Sequence, residues 1–429
     1  MQKKNQITKK RKRGVDYTPA IILALLIYMI FIANCQHDSG TTPVQAKFEL
    51  IVYDPVPVSK SNSIRIYAHY MPWYESKEIN GQWGIHWTMA NRNPDIVDNN
   101  GNRQIASYYY PLIGPYSSMD EDVIEYHLLL MKLSGIDGVL IDWYGSYNVF
   151  DYQQNRINSE ALIDKLDDAG LDFGIVYEDY TTENVFRQGQ ANSPIEAARN
   201  DMQYLDDYYF TNDQYIEVDN SPLLLVFGPR YFERENEWTQ IFTDINKKPH
   251  LLTLWYESSD AGANADGEFG WVYRDHLSDL GNFYANRVPN IGTAIGSAYP
   301  GFKDFYDEGG WGSGLGWEIT HNSTQTFSAT LDMTKKTNIP ILQLVTWNDF
   351  GEGTMIEPTQ EFGFSLLELV QQFVGVDYTD AELKDVHVLY EYRKKYKNDA
   401  NIQLKLDQVY NYLVSLQINE ATQLLDEIE

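Results

Sequence analysis

Ile341-Leu342-Gln343-Leu344-Val345-Thr346-Trp347-Asn348-Asp349-Phe350-Gly351-Glu352-Gly353-Thr354-Met355-Ile356-Glu357-Pro358 starts as a short, mostly apolar run and then changes character abruptly. The run 341–345 predicts a buried strand, because a brief apolar stretch without strict alternation is what a strand covered on both faces carries. Just beyond it, Asp349 and Glu352 stand three residues apart among Trp347, Asn348 and Phe350. Gly351 and Gly353 give that segment turns that residues with a Cβ resist, so both acids are expected at the mouth of the strand. Two carboxyl groups held close in an apolar surround are driven to different pKa values, one protonated and one ionised.

Working outward, similar runs recur at Ile64–Tyr70, Asp137–Asp142, Phe173–Tyr177, Leu223–Phe227, Leu251–Trp255, Phe269–Tyr273 (weaker) and Ile291–Ile295, with helical sequence between most of them. Ser118 with Glu121 reads as a capping box opening a helix that ends at Gly135, and Gly170 closes a helix through Ala161 to Ala169. Eight strands alternating with helices predict a (β/α)8 TIM barrel over residues 61–375. The competing architecture is a doubly wound open sheet. It lacks support, since no G-x-G-x-x-G follows the first strand. The glycine-rich Gly309–Gly314 matches no phosphate-binding pattern and reads as a loop. Ile402, Leu406, Val409, Leu413 and Leu416 form a helical stripe that Ala421, Leu424, Leu425 and Ile428 continue, so residues 376–429 are expected to be a small helical appendage.

The other end is different in kind. Lys9-Lys10-Arg11-Lys12-Arg13 precedes an apolar run from Ala20 to Ala33, which closes at Ile32-Ala33-Asn34-Cys35. This layout is that of an export signal. It resembles a bacterial lipoprotein signal, which would make Cys35, the sole cysteine, a lipidation site. An uncleaved anchor is the alternative, although the run is short for a full span. Either way residues 1–35 place the chain outside the cytoplasm and tethered to a membrane. Residues 36–60 read as a polar tether, with an edge strand expected at Phe48–Tyr53. The net charge of −28 excludes nucleic acid as a partner, because phosphate binding needs clustered Lys and Arg. No cofactor or metal is implied, since the eight histidines show no H-E-x-x-H spacing and His69, His86, His127 and His321 read as structural or rim residues.

The 32 tyrosines and 10 tryptophans are many for a soluble chain, and they gather at the expected strand ends. Tyr70, Trp73 and Tyr74 follow the first strand, Asp142, Trp143 and Tyr144 the second, Glu178 and Tyr180 the third, and Trp255 the fifth. Trp347, Asn348 and Glu357 join the acid pair at the last. Flat rings and carboxyl groups together suit sugars, whose faces are rich in C–H and whose edges carry hydroxyls. An acid pair with separated roles is also what cleavage of a glycosidic bond requires.

Tyr70-Met71-Pro72-Trp73-Tyr74, Tyr110-Pro111-Leu112-Ile113-Gly114-Pro115-Tyr116, Ile141-Asp142-Trp143-Tyr144-Gly145 and the Trp347–Pro358 segment resemble glycoside hydrolase family 99 in sequence and order. The resemblance implies an endo-acting α-mannosidase or α-mannanase on a (β/α)8 barrel, with an oligo- or polysaccharide as its partner. It makes Glu352 the acid/base and gives Asp349 the place of the group that deprotonates the sugar 2-hydroxyl. It makes Glu178 a substrate-contacting acid, and Tyr70, Trp73, Tyr74 and Trp143 walls of the cleft. Family 99 carries Glu where this chain has Asp349; on that point the segment is similar to family 71, the α-1,3-glucanases. A glycan-binding surface lipoprotein without turnover is the alternative from another functional class, and the intact acid pair argues against it.

Overall fold

The computed structural model describes residues 48–337 and 339–428. Cys35, the basic and apolar leader and the first part of the tether lie outside them. Eight parallel strands form the barrel: β1 (Arg65–Tyr70), β2 (Gly138–Trp143), β3 (Asp172–Tyr177), β4 (Ser221–Val226), β5 (His250–Leu254), β6 (Ala265–Phe269), β7 (Thr293–Ala298) and β8 (Ile341–Leu344). Each pairs with the next, β3 meeting β4 at Ile175 and Leu224, and β8 closes onto β1 with Arg65 opposite Ile341. A two-residue strand, Glu217–Val218, adds an antiparallel hairpin to β4.

Alternation along each strand decides what faces where. Tyr67, Leu140, Val176, Leu225, Leu252, Phe269 and Ile295 point inward and form the barrel's inner core. Their neighbours Ile66, Ala68, Val139, Ile141, Phe173 and Ile175 face the helices in a second apolar layer. Both faces are buried, which is why the strands read as short apolar runs.

Three local expectations are corrected. The sixth strand lies at Ala265–Phe269, upstream of the apolar Phe269–Tyr273. A Cβ on its Gly267 would sit 1.8 Å from the Thr293 carbonyl oxygen, so glycine is required where β6 and β7 approach. The first long helix, α1 (Glu121–Leu133), is capped by Asp120, whose side chain accepts from the Asp122 amide. Ser118 serves a different end: its hydroxyl accepts from the Tyr74 amide at 3.1 Å. Residues 48–53 form no strand; the Gln408 side-chain amide takes both polar groups of the Ile51 backbone, at 2.7 and 3.0 Å.

Helix α2 (Tyr152–Ala169) ends at Gly170 with φ +68, as the sequence indicates, but begins well before Ala161. The C-terminal helices α3 (Asp380–Lys395), α4 (Ala400–Val414) and α5 (Ile418–Asp426) bury Leu383, Val386, Leu406, Val409 and Leu413 in the same apolar layer as α1. Residues 48–428 thus belong to one compact unit. No helix among the described residues is long and apolar enough to cross a membrane.

Candidate active site

The C-terminal ends of the strands carry the site, and two side chains staple it together. Asn348 accepts from the Met71 amide at 2.8 Å and donates to the Met71 carbonyl at 3.0 Å, so the loops after β1 and β8 are locked edge to edge. Tyr74 repeats the device: its hydroxyl donates to the Asn348 carbonyl at 2.8 Å and accepts from the Phe350 amide at 3.2 Å. Gly353, at φ +65, has no room for a Cβ, which would meet Tyr109 at 2.9 Å; Gly351 has an ordinary φ. The turn therefore depends on one of the two glycines.

Within that turn Asp349 accepts from the Glu352 amide at 2.9 Å, and Glu352 accepts from the Tyr306 hydroxyl at 2.8 Å. Burial raises Asp349 to about 6, opposed by the amides of Glu352 and Gly351 and by His86. Burial raises Glu352 further, to about 8, with the Asp349 charge adding to it and the Tyr306 hydroxyl opposing. Near neutrality this pair holds one proton at Glu352 and a charge at Asp349. A second pair faces it. Burial and the neighbouring Asp179 raise Glu178 to about 8, and burial together with the Glu178 charge drives the Asp142 carboxyl well above its usual range.

These four acids line one cavity, along with Trp73, Tyr74 and Tyr144 of the expected walls. His69, His86, Met89, Phe227, Trp271, Tyr306 and Trp311 line it as well. Burial lowers His69 to about 3, so it lines the floor as a neutral ring, edge-on to Trp271. An outer groove of about 1990 Å³ adjoins the cavity and is lined by Phe150, Asp151 and the half-exposed Tyr180, among others.

Several expected wall residues are elsewhere, and alternation explains two of them. Tyr70 and Trp143 fall on the outward parity of β1 and β2; both are fully buried against helices, Tyr70 with its hydroxyl 3.0 Å from His127 Nδ1. Trp347 is fully buried edge-on to His127. Glu357 is also fully buried, accepting from the Tyr116 hydroxyl at 2.7 Å with His127 Nε2 at 3.4 Å. Asn348 is the staple between the β1 and β8 loops and not a cavity wall. Trp255 packs against Phe283, beside the cavity and outside its lining.

The wall residues without a signal in the sequence come from two loops. Tyr306 and Trp311 follow β7, whose end lies at Ala298 and not at Ile295, and Trp311 sits in the glycine-rich loop. Placing that strand end correctly brings both into view. His86 lies in the long insertion after β1 and carries no motif.

The family model "Glycosyl hydrolase family 99" matches residues 62–249, a span that ends before the Asp349–Glu352 turn. The glycoprotein endo-alpha-1,2-mannosidase of Mus musculus is 22% identical over 355 residues, covering 74% of this chain and 72% of its own. A glycoprotein endo-alpha-1,2-mannosidase-like protein of Danio rerio is 25% identical over 332 residues, covering 68% and 70%. The solved GH99 endo-alpha-mannosidase from Bacteroides thetaiotaomicron superposes with a TM-score of 0.57 at 17% identity, over 74% of this chain and 99% of that one. At that identity the likeness speaks for the fold.

Proposed function

This chain is a glycoside hydrolase related to family 99, and on that premise we propose an endo-acting enzyme that cleaves α-linked mannan, with Glu352 as proton donor and Asp349 as its ionised partner. The observation that carries this reading is the turn that buries Asp349 and Glu352 together in one aromatic-walled cavity, Asp349 accepting from the Glu352 amide at 2.9 Å and Glu352 from the Tyr306 hydroxyl at 2.8 Å. Burial there raises both acids, and Glu352 the further. At pH 7 Glu352 holds the proton that the leaving oxygen needs as the glycosidic bond breaks. Asp349 then removes the proton of the sugar's 2-hydroxyl, and that oxygen closes on the anomeric carbon to give an anhydro-sugar. Water then attacks the anomeric carbon and breaks its bond to the 2-oxygen, Glu352 taking the water proton while Asp349 returns its own to the 2-oxygen, and the α configuration is retained. Asp142 and Glu178 hold sugar hydroxyls from across the cavity.

The same acids support one other course. Asp is a methylene shorter than Glu, which leaves room for a water that Asp349 would activate directly, with inversion. That course goes with the family 71-like residue at this position and with α-1,3-glucan as substrate. Digests of α-mannan and of α-1,3-glucan, followed by NMR of the first-formed anomer, separate the two. Retention on α-mannan is expected; an inverted product sinks the 2-hydroxyl mechanism.

We also propose that Cys35 is lipidated and tethers the exported enzyme to a membrane. Cys35→Ser should leave the catalytic domain folded but change its cellular fraction, since the acyl anchor would be lost. Unchanged membrane fractionation with an unprocessed N-terminus would instead identify an uncleaved anchor.

A further inference from the structure

The catalytic cavity and the outer groove share a neck. His86, Met89, Tyr144, Glu178 and Trp311 line both spaces. A chain long enough to occupy both must pass these side chains. Of the five, His86 is held on three sides. Its ring lies flat on Trp73, with centroids 4.2 Å apart and planes 4° from parallel. It stands edge-on to Trp311 at 5.9 Å. Its Nε2 is 3.3 Å from Asp151 Oδ2.

The backbone beneath it is fixed as well. The next residue, Trp87, is fully buried, stacks on Tyr74 at 4.0 Å and donates its indole N–H to the Tyr116 carbonyl at 2.8 Å. His86 is therefore a pre-oriented side chain at the passage. With Nε2 turned to Asp151, Nδ1 is the ring nitrogen left to meet a hydroxyl. Beyond the neck the groove offers apolar surface to a further sugar, with Phe150 68% and Tyr180 50% exposed.

We propose that His86, oriented by Asp151 and Trp73, binds the sugar unit lying in the neck and makes the enzyme discriminate by chain length. The inference rests on the reading of this cavity as an α-glycan hydrolase site and names a residue that sets its substrate length. A hydrogen bond together with the packing of a sugar against a fixed ring amounts to about a tenfold change in affinity.

The test is kcat/KM for α-linked oligosaccharides of increasing length, in the mannan or glucan series that the wild type cleaves. The wild type should gain steeply once the chain reaches the neck. His86→Ala should flatten that gain about tenfold, mainly through KM, and His86→Gln, which keeps a planar polar edge, should restore part of it. Asp151→Asn should flatten it less. This second variant guards against misfolding, because the Asp151 side chain makes no capping bond to α2. A His86→Ala profile that falls equally at every length, or does not fall, overturns the proposal. Calorimetric binding of the same oligosaccharides separates the two readings. A wild type that binds the long chains but cleaves none refutes the hydrolase reading alone, and the affinity loss on removing His86 then decides. A wild type that neither binds nor cleaves them overturns both.

Discussion

Two regions of this molecule bury charge, and they do so in opposite ways. At the seam between barrel and C-terminal helices, Arg393 of α3 reaches Glu125 of α1 through two bonds of 3.0 and 2.9 Å and Asp407 of α4 at 2.6 Å. Burial pushes Glu125 up; Arg393 opposes the shift with its charge and its hydrogen bonds, though the carboxyl stays above its usual value. At the barrel mouth, burial raises Glu178, Asp349 and Glu352, and the Arg230 charge beside Glu178, the turn amides at Asp349 and the Tyr306 hydroxyl at Glu352 do not return them to the usual carboxylate range. The seam joins elements with a compensated charge. The mouth keeps uncompensated acids, which are poor for stability and ready for proton transfer.

The largest effect that would break this contrast is chemical. Glu352→Gln should lower kcat on a natural glycan by ~10²–10⁴-fold, the usual worth of a positioned general acid, while binding persists. A variant keeping more than a tenth of the wild-type rate would remove Glu352 from that role. Its stability should respond in the opposite sense. A carboxyl raised from 4.5 to about 8 in the folded chain costs stability progressively as pH rises through that window. Glu352→Gln should therefore flatten the decline of Tm between pH 5 and 8.

Next in size is the seam. Arg393→Ala leaves Glu125 buried without its cation, and removing one partner of such a buried pair costs roughly 3–5 kcal/mol. Thermal unfolding should shift down by several degrees while kcat at low temperature is unaltered. A lowered kcat with unchanged Tm would erase the distinction between the two regions.

The sequence made the seam and the mouth legible to different degrees. Barrel strands and the helical stripe were readable because apolar periodicity directly reflects burial. Asp349, Glu352, Asp142 and Glu178 were readable because they terminate such runs. The cavity walls were only half readable. At a strand end, parity decides whether an aromatic enters the mouth or the outer layer, and composition does not show parity. Tyr70 and Trp143 look like Trp73 and Tyr144 in one dimension, yet the first two end their strands buried among the helices and the other two follow in loops that line the cavity. Tyr306, Trp311 and His86 were hidden for another reason: long loops bring them in from a distance, and loop paths carry no period. The Arg393 network was equally invisible, since its partners are 268 and 14 residues away.

The smallest effect concerns one hydroxyl and sharpens the comparison most. The catalytic pair predicts a bell-shaped kcat/KM, rising as Asp349 ionises near 6 and falling as Glu352 loses its proton near 8. These are apparent values of a coupled pair, so each limb belongs chiefly to one acid and not solely to it. The Tyr306 hydroxyl, 2.8 Å from Glu352, stabilises the ionised form and holds the upper limb down. Tyr306→Phe removes that donor, so Glu352 should stay protonated to higher pH. A hydrogen bond to a charged group is worth ~1.5–3 kcal/mol at most, and a unit of pKa is about 1.4 kcal/mol. The alkaline limb should therefore move up by roughly one unit, with little change in the acid limb. Tyr116→Phe is the matched control, because Tyr116 makes the same kind of bond, at 2.7 Å, to the fully buried Glu357 of the same segment. Its loss should lower Tm and leave both limbs in place. An alkaline limb that moves down in Tyr306→Phe, or moves equally in Tyr116→Phe, would mean that the limb does not report Glu352.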